Sequence, residues 1–97
     1  MKKYEAVFIL DIRKVDDEGE GFSKELSELF KQWGGEMVES VSMGRKQFAT
    51  EIKKRKAGIY WNYVFNLEPG KADELKSYYK LDERVVRSLI INYNRPE

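Results

Sequence analysis

The densest chemistry in the sequence is a run of cations. Between Arg45 and Lys56 stand six basic residues, Arg45, Lys46, Lys53, Lys54, Arg55 and Lys56, against the single acid Glu51. Such an excess concentrates positive potential where phosphate oxygens could bind. A lysine-rich turn also protects a strand edge from aggregation, so the run taken alone leaves both readings open. The opposite sign gathers upstream, where Asp11 to Glu36 holds eight acids and four bases. There Asp16-Asp17-Glu18-Gly19-Glu20 sets acids side by side, whereas a calcium loop needs liganding residues at alternating positions and a closing glutamate. A solvated acidic loop is the expectation.

Little else points to a reaction. The 97 residues include neither cysteine nor histidine. That excludes a disulfide framework and thiolate metal sites, and it removes the usual general base and the commonest metal ligand. No glycine-rich fingerprint or Walker lysine pattern occurs. We therefore expect no catalytic residue, no metal site, no cofactor and no small-molecule substrate. The apolar run after Met1-Lys2-Lys3 carries Glu5 and Asp11 and has no small-residue cleavage site, unlike a signal peptide. No stretch approaches the ~20 apolar residues of a membrane span. A cytoplasmic protein with no membrane partner is expected. Net charge is only +1, with 36% charged and 41% hydrophobic residues, so the placement of charge decides more than its sum.

Residues 1–97 are enough for one domain with one core. Tyr4–Ile12 reads as a strand rich in bulky and branched side chains. Phe22, Leu26, Leu29, Phe30 and Trp33 trace one face of a helix, which Gly34-Gly35 should stop. Glu36–Met43 alternates as a strand, with Met37, Glu39, Val41 and Met43 on one side. Gly44 should bend or bulge it before a continuation over Arg45–Ile52. Lys53–Lys56 reads as a basic turn ending at Ala57-Gly58. Ile59–Leu67 is a second strong strand, with Ile59, Trp61, Tyr63, Phe65 and Leu67 sharing a side. Pro69-Gly70 breaks the chain. Lys71–Tyr79 forms a short helix with Ala72, Leu75, Tyr78 and Tyr79 inward, and Val85–Tyr93 is a last strand before a frayed Arg95-Pro96-Glu97.

The order strand, helix, strand, strand, helix, strand is the ferredoxin-like α+β plan: a four-stranded antiparallel sheet with both helices on one face. It leaves the other sheet face uncovered by its own chain. Val7 and Ile9 of the first strand and Tyr60, Asn62 and Val64 of the third should look outward there, making them candidates for a partner surface. Ordinary scatter of apolar residues on a solvated sheet remains equally open. Lys2, Lys3 and Arg87 extend the cationic run into a common rim if the sheet gathers their strand ends.

An RNA-recognition motif has the same element order and stacks bases on sheet aromatics. Val7-Phe8-Ile9-Leu10-Asp11-Ile12 loosely imitates its first-strand signature. Its third-strand signature is not met by Lys56-Ala57-Gly58-Ile59-Tyr60-Trp61. An acylphosphatase-like reading lacks the phosphate-cradling loop, and a metal-chaperone reading lacks Cys-x-x-Cys.

One family does fit. Gly44-Arg45-Lys46-Gln47-Phe48-Ala49-Thr50-Glu51-Ile52 resembles the Gly-Arg-Arg-x-Leu-Ala-Tyr-Pro-Ile signature of the bacterial small-subunit ribosomal protein S6 family. Met1-Lys2-Lys3-Tyr4-Glu5 is similar to that family's Met-Arg-x-Tyr-Glu start. Gly58-Ile59-Tyr60 parallels its aromatic third strand, and Leu81-Asp82-Glu83-Arg84-Val85-Val86-Arg87-Ser88 its final turn and last strand. The matches run in order from Met1 to about Asn92. The resemblance implies a ferredoxin-like, non-enzymatic protein. It implies binding to the central domain of small-subunit ribosomal RNA together with ribosomal protein S18. It also implies that Arg45 and Lys46 stand at the family's paired arginines and Arg87 at its last-strand arginine. Lys2 and Lys3 follow from the basic start, while Lys53, Lys54, Arg55 and Lys56 are nominated by charge. Thr50-Glu51 departs from the family's Tyr-Pro and puts an acid inside the basic hairpin. The alternative is an oligomer-forming interaction module that uses the open face or a sheet edge without RNA.

Overall fold

A computed structural model describes residues 1–93. Its elements follow the expected order: β1 (Lys2–Leu10), α1 (Glu20–Gln32), β2 (Glu36–Ile52), β3 (Arg55–Leu67), α2 (Pro69–Tyr78) and β4 (Val85–Asn92). The strands pair antiparallel in the order β2-β3-β1-β4, so β2 and β4 are the edges. The end expected at Arg95-Pro96-Glu97 lies outside the described residues.

Alternation of side chains along β1 and β3 sets the core. Tyr4, Ala6, Phe8 and Leu10 share a face with Ile59, Trp61, Tyr63, Phe65 and Leu67, and all nine are buried. From α1, Phe22, Leu26, Leu29 and Phe30 meet them, and α2 and its C-cap add Ala72, Leu75 and Tyr79. Burying each Phe or Leu is worth about 1.5–3 kcal/mol. Phe30 stacks on Phe65 with ring centroids 4.4 Å apart, and Phe8 meets Phe22 and Tyr63 at 5.6 Å. A polar link across this layer is the hydrogen bond of 2.8 Å between the Ser23 and Tyr63 hydroxyls. Burial pushes the Tyr63 phenol above its ordinary range. Both therefore stay neutral.

Local differences from the expected pattern have physical causes. The α1 stop is as expected: Gly34 takes φ 80°, and the Gly34 and Gly35 amides donate to the Lys31 and Phe30 carbonyls. Pro69 does not break the chain but opens α2 as its first residue, where a missing N–H costs nothing. Tyr78 is not inward. It is 55% exposed and meets the edge of Trp33, because Ala72, Leu75 and Tyr79 already fill the inner stripe. In β2 the single alternation fails. Register shifts between Met37 and Glu39 and between Ser42 and Gly44 put Met37, Ser40 and Ser42 across from core residues of β3. Glu39 and Val41 then fall on the other face, and Gly44 takes φ 78° at the second shift, which a side chain would disfavour. Among the described residues no helix is long and apolar enough to cross a membrane.

Candidate nucleic-acid interface

The cationic run forms a hairpin. β2 and β3 stay paired past the body of the sheet, through Lys46–Gly58 and Gln47–Ala57 to Ile52–Arg55. The turn is only two residues long, tighter than the four expected. Lys53 and Lys54 both take positive φ, 50° and 63°. That is the backbone of a type I′ turn, which matches strand twist but normally uses Asn-Gly. Two lysines there cost about 1–2 kcal/mol each.

The two arginines of the run are committed elsewhere. Arg55 Nε donates to Asp11 Oδ2 at 2.7 Å, and the Arg13 amide donates to Asp11 Oδ1 at 3.0 Å. Asp11 is buried, just past β1, and its own amide donates to the Arg84 carbonyl at 2.8 Å. Burial alone would raise the Asp11 carboxyl. The Arg55 hydrogen bond, the Arg13 amide and both charges outweigh it and hold the carboxyl below its usual range. Arg45 lies across from Ile59 and so leans to the helix side, where it forks onto Glu18 at 2.5 and 3.1 Å. That pairing lowers the Glu18 carboxyl.

The acidic loop therefore does more than meet solvent. Its acids are exposed, yet the Glu18 carbonyl accepts from Trp61 Nε1 at 2.9 Å. Asp17 accepts from the Gly19 and Gly21 amides at the start of α1. It is anchored to β2 through Arg45 and to β3 through Trp61.

The lysines are free of acids. Among the described residues, Lys46, Lys53, Lys54, Lys56 and Arg87 make no ion pair. Lys46 is on the open face with its ammonium 5.7 Å from the centre of the Tyr60 ring. Arg87, paired with Ile9, belongs to the same face at the far edge. Gly44, Tyr60, Ile9 and Arg87 make one row across the sheet, so Arg87 and the hairpin share an end of the molecule.

Lys2 and Lys3 do not join them. They pair with Leu67 and Asn66, seven and six residues along β1 from that row, or roughly 20–23 Å away. The expected common rim does not form, because antiparallel pairing sends the start of β1 to the end opposite the β2–β3 turn. Lys3 instead lies 4.6 Å from the Tyr93 ring centre.

The open face is also less open than its pattern implies. Register places Val7, Ile9, Tyr60, Asn62 and Val64 together on it, beside Glu5. Ile9 and Val64 are nevertheless buried, and Glu5 is only 9% exposed, accepting from Asn62 Nδ2 at 3.1 Å. Neighbouring side chains cover the hairpin end of this face: Lys46 lies over Tyr60, and Phe48 packs against it at 6.1 Å. The exposed apolar residues of this face lie toward its edges, with Val41 on β2 and Leu89 and Ile91 on β4.

Sequence reasoning missed two cations, Lys76 and Lys80. With Lys53, Arg87, Tyr79 and Val85–Ile90 they line a groove of about 470 Å³ beside β4. Their i, i+4 spacing at the end of α2 was the available signal. Nothing local could reveal that Lys53 would arrive from the hairpin.

Against this geometry the comparisons are specific. The sequence profile of the family described as Ribosomal protein S6 matches residues 3–92. The chain belongs to the ribosomal protein S6 family. It is 34% identical over 94 residues to small ribosomal subunit protein bS6 of Helicobacter acinonychis, covering 97% of this chain and 66% of that one. It thus spans just under two thirds of that relative. It is 35% identical over 92 residues to bS6 of Clostridium kluyveri, covering 94% of this chain and 96% of the other. A crystal structure of 30S ribosomal protein S6 from Thermotoga maritima superposes with a TM-score of 0.85 at 24% identity, covering 95% of this chain and 87% of that one. That likeness shows the ferredoxin-like fold. S6 is a family of structural ribosomal proteins and not of enzymes.

Proposed function

We propose that this S6-family chain is a structural constituent of the small ribosomal subunit, acting as one domain over residues 1–97. In this reading it binds small-subunit ribosomal RNA together with ribosomal protein S18. The observation that carries the proposal is the family match over nearly the whole chain. The hairpin supports it, because Lys46, Lys53, Lys54 and Lys56 lie on its extension of the sheet and make no ion pair among the described residues, which leaves their charge for phosphate. Arg45 and Arg55 act at one remove, fixing the direction of the hairpin through Glu18 and Asp11. Lys2 and Lys3, at the far end, are left as a separate contact. The protein partner sits on the open face. It touches Val7, Tyr60 and Asn62 and the apolar margins at Val41 and Leu89, with Ile9 and Val64 as buried backing.

No bond is made or broken. Lysines supply point charge to phosphate oxygens, and specificity comes from RNA shape and joint docking. With a net charge of +1 the protein alone neutralises few phosphates, so binding alone is weak and the partner strengthens it. Titrating a small-subunit central-domain RNA fragment with the protein, with and without S18, tests this. We expect weak, salt-sensitive binding that tightens when S18 is present. Tight binding without the partner contradicts joint docking. Salt-insensitive self-association with no RNA bound would support an interaction module instead.

A further inference from the structure

We infer that the groove between the end of α2 and the free edge of β4 is a second phosphate seat, closed from above by the hairpin tip. The inference rests on the RNA-binding reading and gives it a specific place. Four cations border the groove from three separate parts of the chain: Lys53 from the turn, Lys76 and Lys80 from α2 and the turn after it, and Arg87 from β4, on its open-face side. No acid lines it, and none of the four has an ion-pair partner among the described residues.

The neighbouring groove shows what an ordinary structural arrangement looks like. It is lined by Lys14, Lys53, Arg55 and Lys80, but also by Asp11, Asp82 and Glu83. There Arg55 closes on Asp11, and Lys14 lies 3.5 Å from Glu83. Four cations meet three acids on one side of Lys53 and Lys80, and none on the other.

The helix dipole gives a competing explanation. Lysines near a helix C-terminus answer its partial negative charge of about half a unit. Lys76 and Lys80 satisfy that demand several times over, and it gives no reason for Lys53 or Arg87 to converge. Like charges gathered without an anion repel, and a bound polyanion relieves that. β4 is an edge strand with β1 as its one neighbour, so its outer backbone N–H groups can also donate to phosphate oxygens.

The test measures salt dependence of binding to small-subunit RNA with S18 present, for the full chain and two double variants. Lys76→Gln with Lys80→Gln should make the log–log slope shallower by about 1.4 if the strand is single and about 1.8 if it is duplex. Lys24→Gln with Lys31→Gln, on α1 and outside the groove, should leave it unchanged. All four side chains are exposed or half-buried, and an unchanged melting curve verifies folding. If the unsubstituted chain binds but Lys76→Gln with Lys80→Gln leaves the slope intact, the groove is overturned and the RNA function stands. If the unsubstituted chain does not bind, both fall.

Discussion

Arg45 at the base of the hairpin and Arg55 beside its turn each close on a carboxylate, whereas Lys53, Lys54 and Lys56 in the same hairpin meet none. The two sets differ in kind as well as in place. A guanidinium offers a planar fork of donors, suited to fixing geometry against Asp11 and Glu18, while an ammonium is a point charge on a flexible stem. The arginines make the hairpin an extension of the core, and the lysines are what that extension carries outward. Within one charged run, the position of acids distant in sequence separates structural cations from cations left for a ligand.

The sharpest way to break that division is Arg55→Ala. It leaves the buried Asp11 carboxylate without its main partner and should cost about 2–3 kcal/mol, less than a fully buried pair because Arg55 is part-exposed. A thermal melt should fall by roughly 10–20 °C. Acid separates the sets in the same way. Asp11 and Asp82 both titrate below their ordinary range in the fold, Asp82 chiefly through its Arg84 hydrogen bond. Their contribution is fully present above about pH 4, the ordinary carboxylate value, and is lost as pH falls through the depressed folded values. Circular dichroism against pH should show Asp11→Asn losing part of that acid-dependent stability.

Next in size is the turn. Replacing Lys53 by Asn and Lys54 by Gly gives the type I′ backbone its preferred residues and should stabilise by about 1 kcal/mol, raising the melting temperature by a few degrees. RNA affinity should fall in the same variant. A turn whose native residues lower stability while serving a ligand is the signature of a functional position. If affinity is unchanged, the lysines are only edge protection. Smallest is Arg45→Ala. Its pair with Glu18 is exposed, so the melting curve should hardly move, and an RNA effect without a stability effect would place Arg45 with the lysines after all.

The fold was legible because the strong signals were local. The β3 alternation, the α1 stripe and Gly34-Gly35 each imposed a period or a stop that packing then obeyed. Gly44 also marked its bulge. The missing parts depended on distance. β2 alternates cleanly in sequence as far as Met43, but the shift after Met37 leaves no residue type to announce it. Tyr78 was compatible with the helix stripe until Tyr79 and Leu75 filled it. At the candidate site, charge identified the hairpin, yet nothing near Arg55 in sequence announces Asp11, 44 residues away. Lys2 and Lys3 looked like part of one rim because a basic start has no visible location until strand pairing assigns it an end.

The most direct measurement is co-sedimentation of the chain with small ribosomal subunits through a high-salt wash. A structural constituent, held by both RNA and a protein neighbour, stays with the particles after free cationic proteins have been stripped off. Recovery of the chain only in the supernatant, even at low salt, would contradict the ribosomal role and with it every phosphate contact assigned to the lysines.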